Sequence, residues 1–382
     1  MRVPQGFEVS GVTAGIKVSG RSDLGLVYSP FPLAWALSST TNLVKAPCVA
    51  RNRARYAAGT PVRALVVNSG NANCANGEKG TWDNEDLAGA AAGALGLERV
   101  QDVLTASTGV IGQRLPVAQL AAAMPRAAQT LAGDSSPFAE SILTTDTVSK
   151  EVAATLSGGA RLVGVAKGSG MIHPNMATLL CFVMTDASVP QDTLRELWPR
   201  VVDASFNQLT VDGDTSTNDM AIVLSSRKVA ADVTELEAAL TDVCVRLAKK
   251  VARDGEGATK MITVRVTGAR SVEEARVAAR TVAGSNLIKS AVHGADPNWG
   301  RILAAVGRSG AVGDLANVRV AMQGVELYRG APLEFDAAAV SALLRQEDVL
   351  IETDLAAGNS SGEAWGCDLS PEYVRINADY TT

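Results

Sequence analysis

The stretch Lys167-Gly-Ser-Gly-Met-Ile-His-Pro-Asn-Met-Ala-Thr178 sets an amine, a polar glycine-rich loop and a hydroxyl directly ahead of an apolar run over residues 179–184. An unbroken apolar run of that length suits a strand buried on both faces. Thr178 would then open a rigid element with its hydroxyl and backbone nitrogen toward the loop, a good place to hold a nucleophile. A threonine hydroxyl needs a base beside it at neutral pH. With His173 and His293 the only histidines in the chain, a histidine triad or a zinc site with several histidines is disfavoured. Cutting the Ala177–Thr178 bond would supply a base differently, because the freed α-amine, with an unperturbed pKa of about 7.7 to 8.0, sits on the same residue. The hydroxyl itself could make that cut by attacking the Ala177 carbonyl, with the upstream glycines allowing the backbone geometry. The plainer reading, a threonine that simply begins a strand, stands beside it.

Four other polar stretches could do chemistry. Leu104-Thr-Ala-Ser-Thr-Gly-Val-Ile-Gly112 ends a strand with small hydroxyl residues and Gly109, which lets backbone N–H groups approach an oxyanion; an ordinary strand-ending turn has the same composition. Asn68, Asn71 and Asn73 follow a strand over residues 62–68 and are expected to cap their own backbone. Thr144-Thr-Asp-Thr147 suits a turn or a substrate contact. Thr210-Val-Asp-Gly-Asp-Thr-Ser-Thr-Asn-Asp219 begins like a calcium loop, but counting from Asp212 the sixth and twelfth positions hold Thr217 and Val223 instead of Gly and Glu. A loop that satisfies its own backbone is expected there, and no metal.

The elements that would position these residues alternate between strand and helix. Helices are expected over residues 82–97 with Asp83 as cap, 116–132 with a bend at Pro125, and 190–206. Gly158-Gly159 marks a hairpin before a strand at 162–166. Thr234-x-x-Glu237 and Ser271-x-x-Glu274 read as capping boxes for helices reaching 252 and 283, with a strand at 260–266 between them and Glu256 in a glycine-flanked turn ahead of it. A short helix at 286–293 follows. Two strand-like runs, a helix at 336–344 and a polar tail complete the chain.

Composition narrows the class. The chain has 382 residues, 47% of them hydrophobic, enough for a large core in one or two domains. Its 35 basic and 40 acidic side chains give a formal charge of -5 and no basic footprint for nucleic acid. The first residues lack a signal-peptide core and no apolar run reaches the roughly 18 residues of a membrane span. Five scattered cysteines show no metal spacing. A cytoplasmic protein acting on small molecules, with no membrane partner, is expected.

Taken together the motifs are similar to those of the ornithine acetyltransferase family, also called glutamate N-acetyltransferase. The self-processing site matches in Lys167-Gly-Ser-Gly-Met-Ile-x-Pro-Asn-Met-Ala-Thr178, and so, in order along the chain, do Asn68-Ser-Gly-Asn-Ala-Asn73, Ser107-Thr-Gly-Val-Ile-Gly112, Thr144-Thr-Asp-Thr147, Val211-Asp-Gly-Asp-Thr-Ser-Thr-Asn-Asp219, Gly294-Ala-Asp-Pro-Asn-Trp-Gly-Arg301 and Asn377-Ala-x-Tyr380. Leu179, where methionine is expected, and Thr381, where an arginine is usual, depart from the pattern. The resemblance implies an α/β layered sandwich of sheets flanked by helices with an N-terminal-threonine nucleophile and a smaller C-terminal α/β portion, divided for this chain at 1–280 and 281–382. It implies cleavage into an α chain, 1–177, and a β chain, 178–382, assembled as two of each.

Residue by residue, it makes Thr178 the nucleophile, Ala177 and Thr178 the cleavage pair, Thr108 and Gly109 the oxyanion hole, and Thr144, Lys167, Thr178, Glu256, Asn377 and Thr382 the substrate contacts. The implied reaction transfers acetyl from N2-acetyl-L-ornithine to L-glutamate by a ping-pong route in cyclic arginine biosynthesis, with no cofactor and with acetyl-CoA as a further donor. Two alternatives make other predictions. A self-processing aminopeptidase or amidase of the same architecture would hydrolyse its substrate, and a noncatalytic calcium- or ligand-binding protein would stay uncut.

Overall fold

The computed structural model describes residues 1–173, 179–311 and 316–379. Strands β1 (Glu8–Val12), β2 (Leu24–Ser39), β3 (Val62–Asn71), β4 (Val103–Val110), β5 (Lys150–Thr155), β6 (Arg161–Lys167), β7 (Leu180–Ser188) and β8 (Met220–Ala230) hydrogen-bond in the order β4-β3-β2-β8-β7-β6-β5, with β1 also on β2. The long β2 serves two neighbourhoods. Its Leu24–Tyr28 segment lies between β1 and β3, and Ala34–Ser39 pairs with β8. Between them the ladder shifts at Pro30 and Pro32, which have no N–H to give.

That break folds the sheet onto itself. Leu65, Val67 and Leu104 from one half share a buried cluster with Val165, Phe182, Met184 and Ile222 from the other. Phe138 meets Phe182 edge-on within it, at a centroid distance of 5.7 Å. The two outer faces carry helices. Leu24, Leu26 and Val66 pack against Leu87, Ala91, Leu120 and Met124 of the helices Gly77–Ala94 and Val117–Gln129. Cys181, Val183 and Val223 pack against Leu194, Trp198, Leu240 and Leu247 of Gln191–Ala204 and Val233–Arg253. Four layers result, helix on sheet on sheet on helix, which is the layered α/β sandwich expected from the motifs. In β7 odd and even positions enter different cores, and Leu180 to Ala187 are all buried. The apolar run after residue 178 is therefore a strand buried on both faces.

A second sheet completes the chain: β9 (Met261–Ala269), β10 (Arg319–Met322), β11 (Val325–Arg329), β12 (Asp348–Asp354) and β13 (Ser360–Cys367), ordered β11-β10-β12-β9-β13. Ile262, Val264, Val266 and Ile351 bury one face under the helices Val272–Ala283, Asn286–His293, Trp299–Arg308 and Ala337–Leu343. On the other face Arg265 bonds Glu352 and Glu363. The sheets change over between Arg253 and Met261, so residue 280 lies inside the helix Val272–Ala283. Trp365 and Cys367 at the end of β13 join the core of the larger unit.

Several local expectations are corrected. Asp83 caps nothing: its helix begins at Gly77, and Asp83 is buried in the helix interior, paired with Arg114. The helix Val117–Gln129 runs through Pro125. Asp232, two residues before Thr234, is the cap that accepts the Glu235 N–H, whereas Ser271 caps as expected. The C-terminal portion holds four strands after residue 318, not two, because β10 and β11 are four- and five-residue strands too short to show a period. The polar tail contains the helix Pro371–Asp379, none of whose residues is buried, so it leaves no apolar stripe to read.

Candidate active site

Parallel β3 and β4 end side by side, with Gly70 opposite Gly109. Gly109 has φ +130°, and a Cβ there would stand 2.3 Å from the Gly70 carbonyl carbon, so both the turn and the close approach demand glycine. Thr108 just before it is 7% exposed and accepts a hydrogen bond from Lys167 Nζ at 3.4 Å, which leaves its own hydroxyl proton free to donate into the adjoining cavity. Asn218 braces this corner by donating to the carbonyls of Ala72 and Ser107.

Lys167 ends β6, opposite Leu180 of β7, and Leu180 in turn lies opposite Met220 of β8. The chain leaving Leu179 toward residue 178 therefore starts at the strand end that carries Lys167. Ala177, Thr178 and Thr382, the expected cleavage pair, nucleophile and C-terminal contact, lie outside the described residues.

Burial pushes the Lys167 amine below its ordinary pKa, and Asp146, with Oδ2 3.9 Å away, works against that shift. Asp146 is itself fully buried, yet the cations of Lys167 and Lys150 more than offset its desolvation and hold it at about 2. Its carboxylate accepts from Lys150 Nζ at 2.7 Å and from the N–H groups of Gly168 and Thr144 at 2.6 and 3.1 Å. Lys150, fully buried, also bonds Asp254. A buried chain of alternating charge, Asp254-Lys150-Asp146-Lys167, thus runs up to the cavity.

The opposite wall carries Glu256. Its N–H donates to the Ser169 carbonyl at 2.8 Å, and Asn377 Nδ2 donates to its Oε2 at 2.9 Å. Gly170 makes room, since a Cβ there would meet the Glu256 carboxylate at 2.3 to 2.6 Å. Thr145 shares a 2.7 Å hydrogen bond with Ser169. One cavity is lined by Thr108, Gly109, Thr144, Lys167, Glu256 and Asn377, so the six expected site residues that are described all meet there. Thr145 and Asn218 also line it, with Ile111 and Met171 among its apolar walls.

Other expectations resolve locally. Asn68, Asn71 and Asn73 bind one another's backbone, Asn68 donating to the Asn71 carbonyl and Asn71 accepting from the Asn73 N–H. Asp212 accepts from the N–H groups of Met171, Ile172 and Asp214, so the acidic loop fixes the Lys167 loop. Among the described residues no group of three His, Cys, Asp or Glu side chains could hold a metal ion. His173 is tied to Thr210 at 3.2 Å, and burial lowers its pKa. Lys150 and Asn218 were not foreseen as parts of the site. The available signal was a lysine at the start of a strand, between Ser149 and Glu151.

The ArgJ family model matches residues 8–382 of this chain. Over 99% of its length the chain is 53% identical to the arginine biosynthesis bifunctional protein ArgJ of Deinococcus radiodurans, covering 97% of that protein. It is 54% identical to the protein of the same name from Thermus thermophilus, with 100% of both covered. In the solved crystal structure of the Bacillus halodurans arginine biosynthesis bifunctional protein, at 40% identity and a TM-score of 0.50, 98% of that chain is covered by 52% of this one. No described helix is long and apolar enough to cross a membrane.

Proposed function

Because the chain belongs to the ArgJ family, we propose that it cuts itself between Ala177 and Thr178 and then carries an acetyl group from N2-acetyl-L-ornithine to L-glutamate on Thr178. The observation that carries this reading is the pairing of a buried cation, Lys167, with a carboxylate, Glu256, across a cavity that also holds Thr108 and Gly109. Acetylornithine has a carboxylate and a side-chain ammonium, and each finds an opposite charge there. The Thr108 hydroxyl and the backbone at Gly109 stabilise the oxyanion while the acetyl carbonyl is attacked. Ornithine departs from an acetyl ester on Thr178, glutamate takes its place in the same cavity, and its amine removes the acetyl group in a ping-pong cycle. Thr144, Asn377 and Thr382 complete the substrate contacts.

Self-cleavage draws support from the solved relative, whose chain corresponds almost entirely to half of this one, the size of a cleaved product. The word bifunctional in the relatives' names fits acetyl-CoA as a second donor to glutamate. The working form is a cytoplasmic assembly of two chains of residues 1–177 and two of 178–382, needing no cofactor.

On a denaturing gel the 39.5 kDa chain should run as two fragments, the larger, residues 178–382, beginning Thr-Leu-Leu-Cys. Thr178→Ala should stay whole and inactive, and incubation with acetylornithine and glutamate should yield ornithine and acetylglutamate. An active, uncut Thr178→Ala protein would sink the mechanism. Release of acetate without glutamate would make the protein an amidase instead.

A further inference from the structure

The loop between β1 and β2, residues 13–23, borders the cavity without belonging to the site described above. Asp23, fully buried, holds its shape by accepting the N–H groups of Ala14, Gly15, Ile16 and Lys17, and its carbonyl takes the Ser69 N–H at 2.9 Å. The loop is thereby pinned on the end of β3. A Cβ at Gly70 would stand 3.0 Å from Ile16 Cγ2 and 3.3 Å from Lys17 Cγ, and Gly70 lies opposite Gly109 of the cavity wall. Farther along the loop Arg21 donates at 3.3 Å to the carbonyl of Thr144, another wall residue. Two cations thus stand at the cavity rim, one against the Gly70–Gly109 corner and one against Thr144.

Among the described residues both cations hydrogen-bond only neutral oxygens. Lys17 Nζ gives one bond, 2.6 Å to the Ser22 carbonyl, and carries two further N–H groups. Arg21 reaches the Ser19 hydroxyl and the Thr144 carbonyl and is otherwise exposed. Burial, and then the neighbouring Arg21 charge, lower the Lys17 amine to about 8; an anion between the two cations would counter both effects. Asp23, Asp146 and Lys167 are its other charged neighbours, which puts Lys17 on the Lys167 side of the cavity, whereas Glu256 is on the opposite wall.

The donor and the acceptor in the transfer agree at the α-carboxylate and the α-nitrogen and differ in charge at the far end. Acetylornithine ends in an ammonium and glutamate in a carboxylate. One distal site cannot suit both, because Glu256 attracts the first and repels the second. We propose that the cavity forks, with Lys17 and Arg21 as the binding site of the glutamate side-chain carboxylate, an inference that rests on the transfer reading above. Lys167 holds the α-carboxylate of either substrate. From there the ornithine ammonium turns to Glu256, and the glutamate carboxylate turns to the loop, where two cations meet it with charged hydrogen bonds. The loop is then the element that selects the acceptor. Glutamine, which has the length of glutamate without its charge, is refused there.

The test is steady-state transfer by the full-length protein, with acetylornithine as donor and glutamate or glutamine as acceptor. Lys17→Gln and Arg21→Gln should each raise the KM for glutamate about tenfold or more, the loss of a charged hydrogen bond, and leave that for acetylornithine within about twofold. The wild-type preference for glutamate over glutamine should shrink by the same factor, which a loosened loop alone would not produce. Arg21 is exposed, so Arg21→Gln decides the matter if the thermal midpoint shows that Lys17→Gln disturbs the fold. An unchanged preference in Arg21→Gln, or equal rises in KM for both substrates, overturns the proposal. With acetyl-CoA as donor, a rise confined to its KM would assign the two cations to its phosphates and also overturn it. A wild-type protein that moves no acetyl group from acetylornithine to glutamate removes the transfer reading itself, and the fork with it.

Discussion

Replacing Asp146 by asparagine should cost the folded protein about 3 kcal/mol at pH 7, the lower end for breaking a buried ion pair, because Asp254 still pairs with Lys150. Part of this cost depends on pH in a calculable way. The Asp146 pKa lies at about 2 in the folded protein against an ordinary 3.8, so the carboxylate contributes nearly two pKa units, or about 2 kcal/mol. A depressed acid stabilises the fold at pH values above its unfolded pKa and loses that contribution as pH falls through the folded one. At pH 3 about 1 kcal/mol of it should already be gone. Urea unfolding of wild type and Asp146→Asn at pH 7, 5 and 3 reads both quantities. The gap between the two proteins should be widest at pH 7 and 5 and narrower by about 1 kcal/mol at pH 3. A gap below about 0.5 kcal/mol at pH 7, or one that does not change with pH, would refute the view that the buried charges of Lys150 and Lys167 are balanced through Asp146.

Three further substitutions probe the cavity. Thr108→Ala should fold normally and lower turnover by about a hundredfold, with unchanged turnover counting against its oxyanion role. Gly109→Ala brings both a methyl group 2.3 Å from the Gly70 carbonyl carbon and a side chain at φ +130°; thermal unfolding should show a loss of at least about 2 kcal/mol, and a wild-type melting profile would contradict the described turn. Glu256→Gln keeps the shape and loses the charge, so the KM for acetylornithine should rise about tenfold or more, as expected for a charged hydrogen bond, while that for glutamate changes less; an equal rise for both substrates would place the ornithine ammonium elsewhere.

The sequence disclosed most where chemistry and local periodicity coincide. The run after Thr178 could be read as a strand buried on both faces because each of its positions is apolar, and β7 has one core on each side. Thr108, Gly109, Lys167, Glu256 and Asn377 could be named from motif order, but their meeting in one cavity could not, since it depends on the β2 break that folds one half of the sheet over the other. Lys150 was illegible for a related reason. A buried lysine is tolerable because Asp146 and Asp254 flank it, and Asp254 is 104 residues away. Thr234-x-x-Glu237 misled because several capping residues occur in succession, and the backbone geometry selects Asp232.

The order of strands across the sheet bears on what happens after a cut at 177–178. β7 and β8, from the downstream piece, are inserted between β6 and β2 of the upstream piece, with six paired positions on either side. Each piece alone would expose open strand edges and half of the shared inner core, so the pieces must acquire their fold while still one molecule. Severing the chain there would release the linkage without separating the strands. A protein so cut would be held together as a kinetic product of its own synthesis: once unfolded, its two halves would have to find each other by diffusion, and recovery would depend on their concentration.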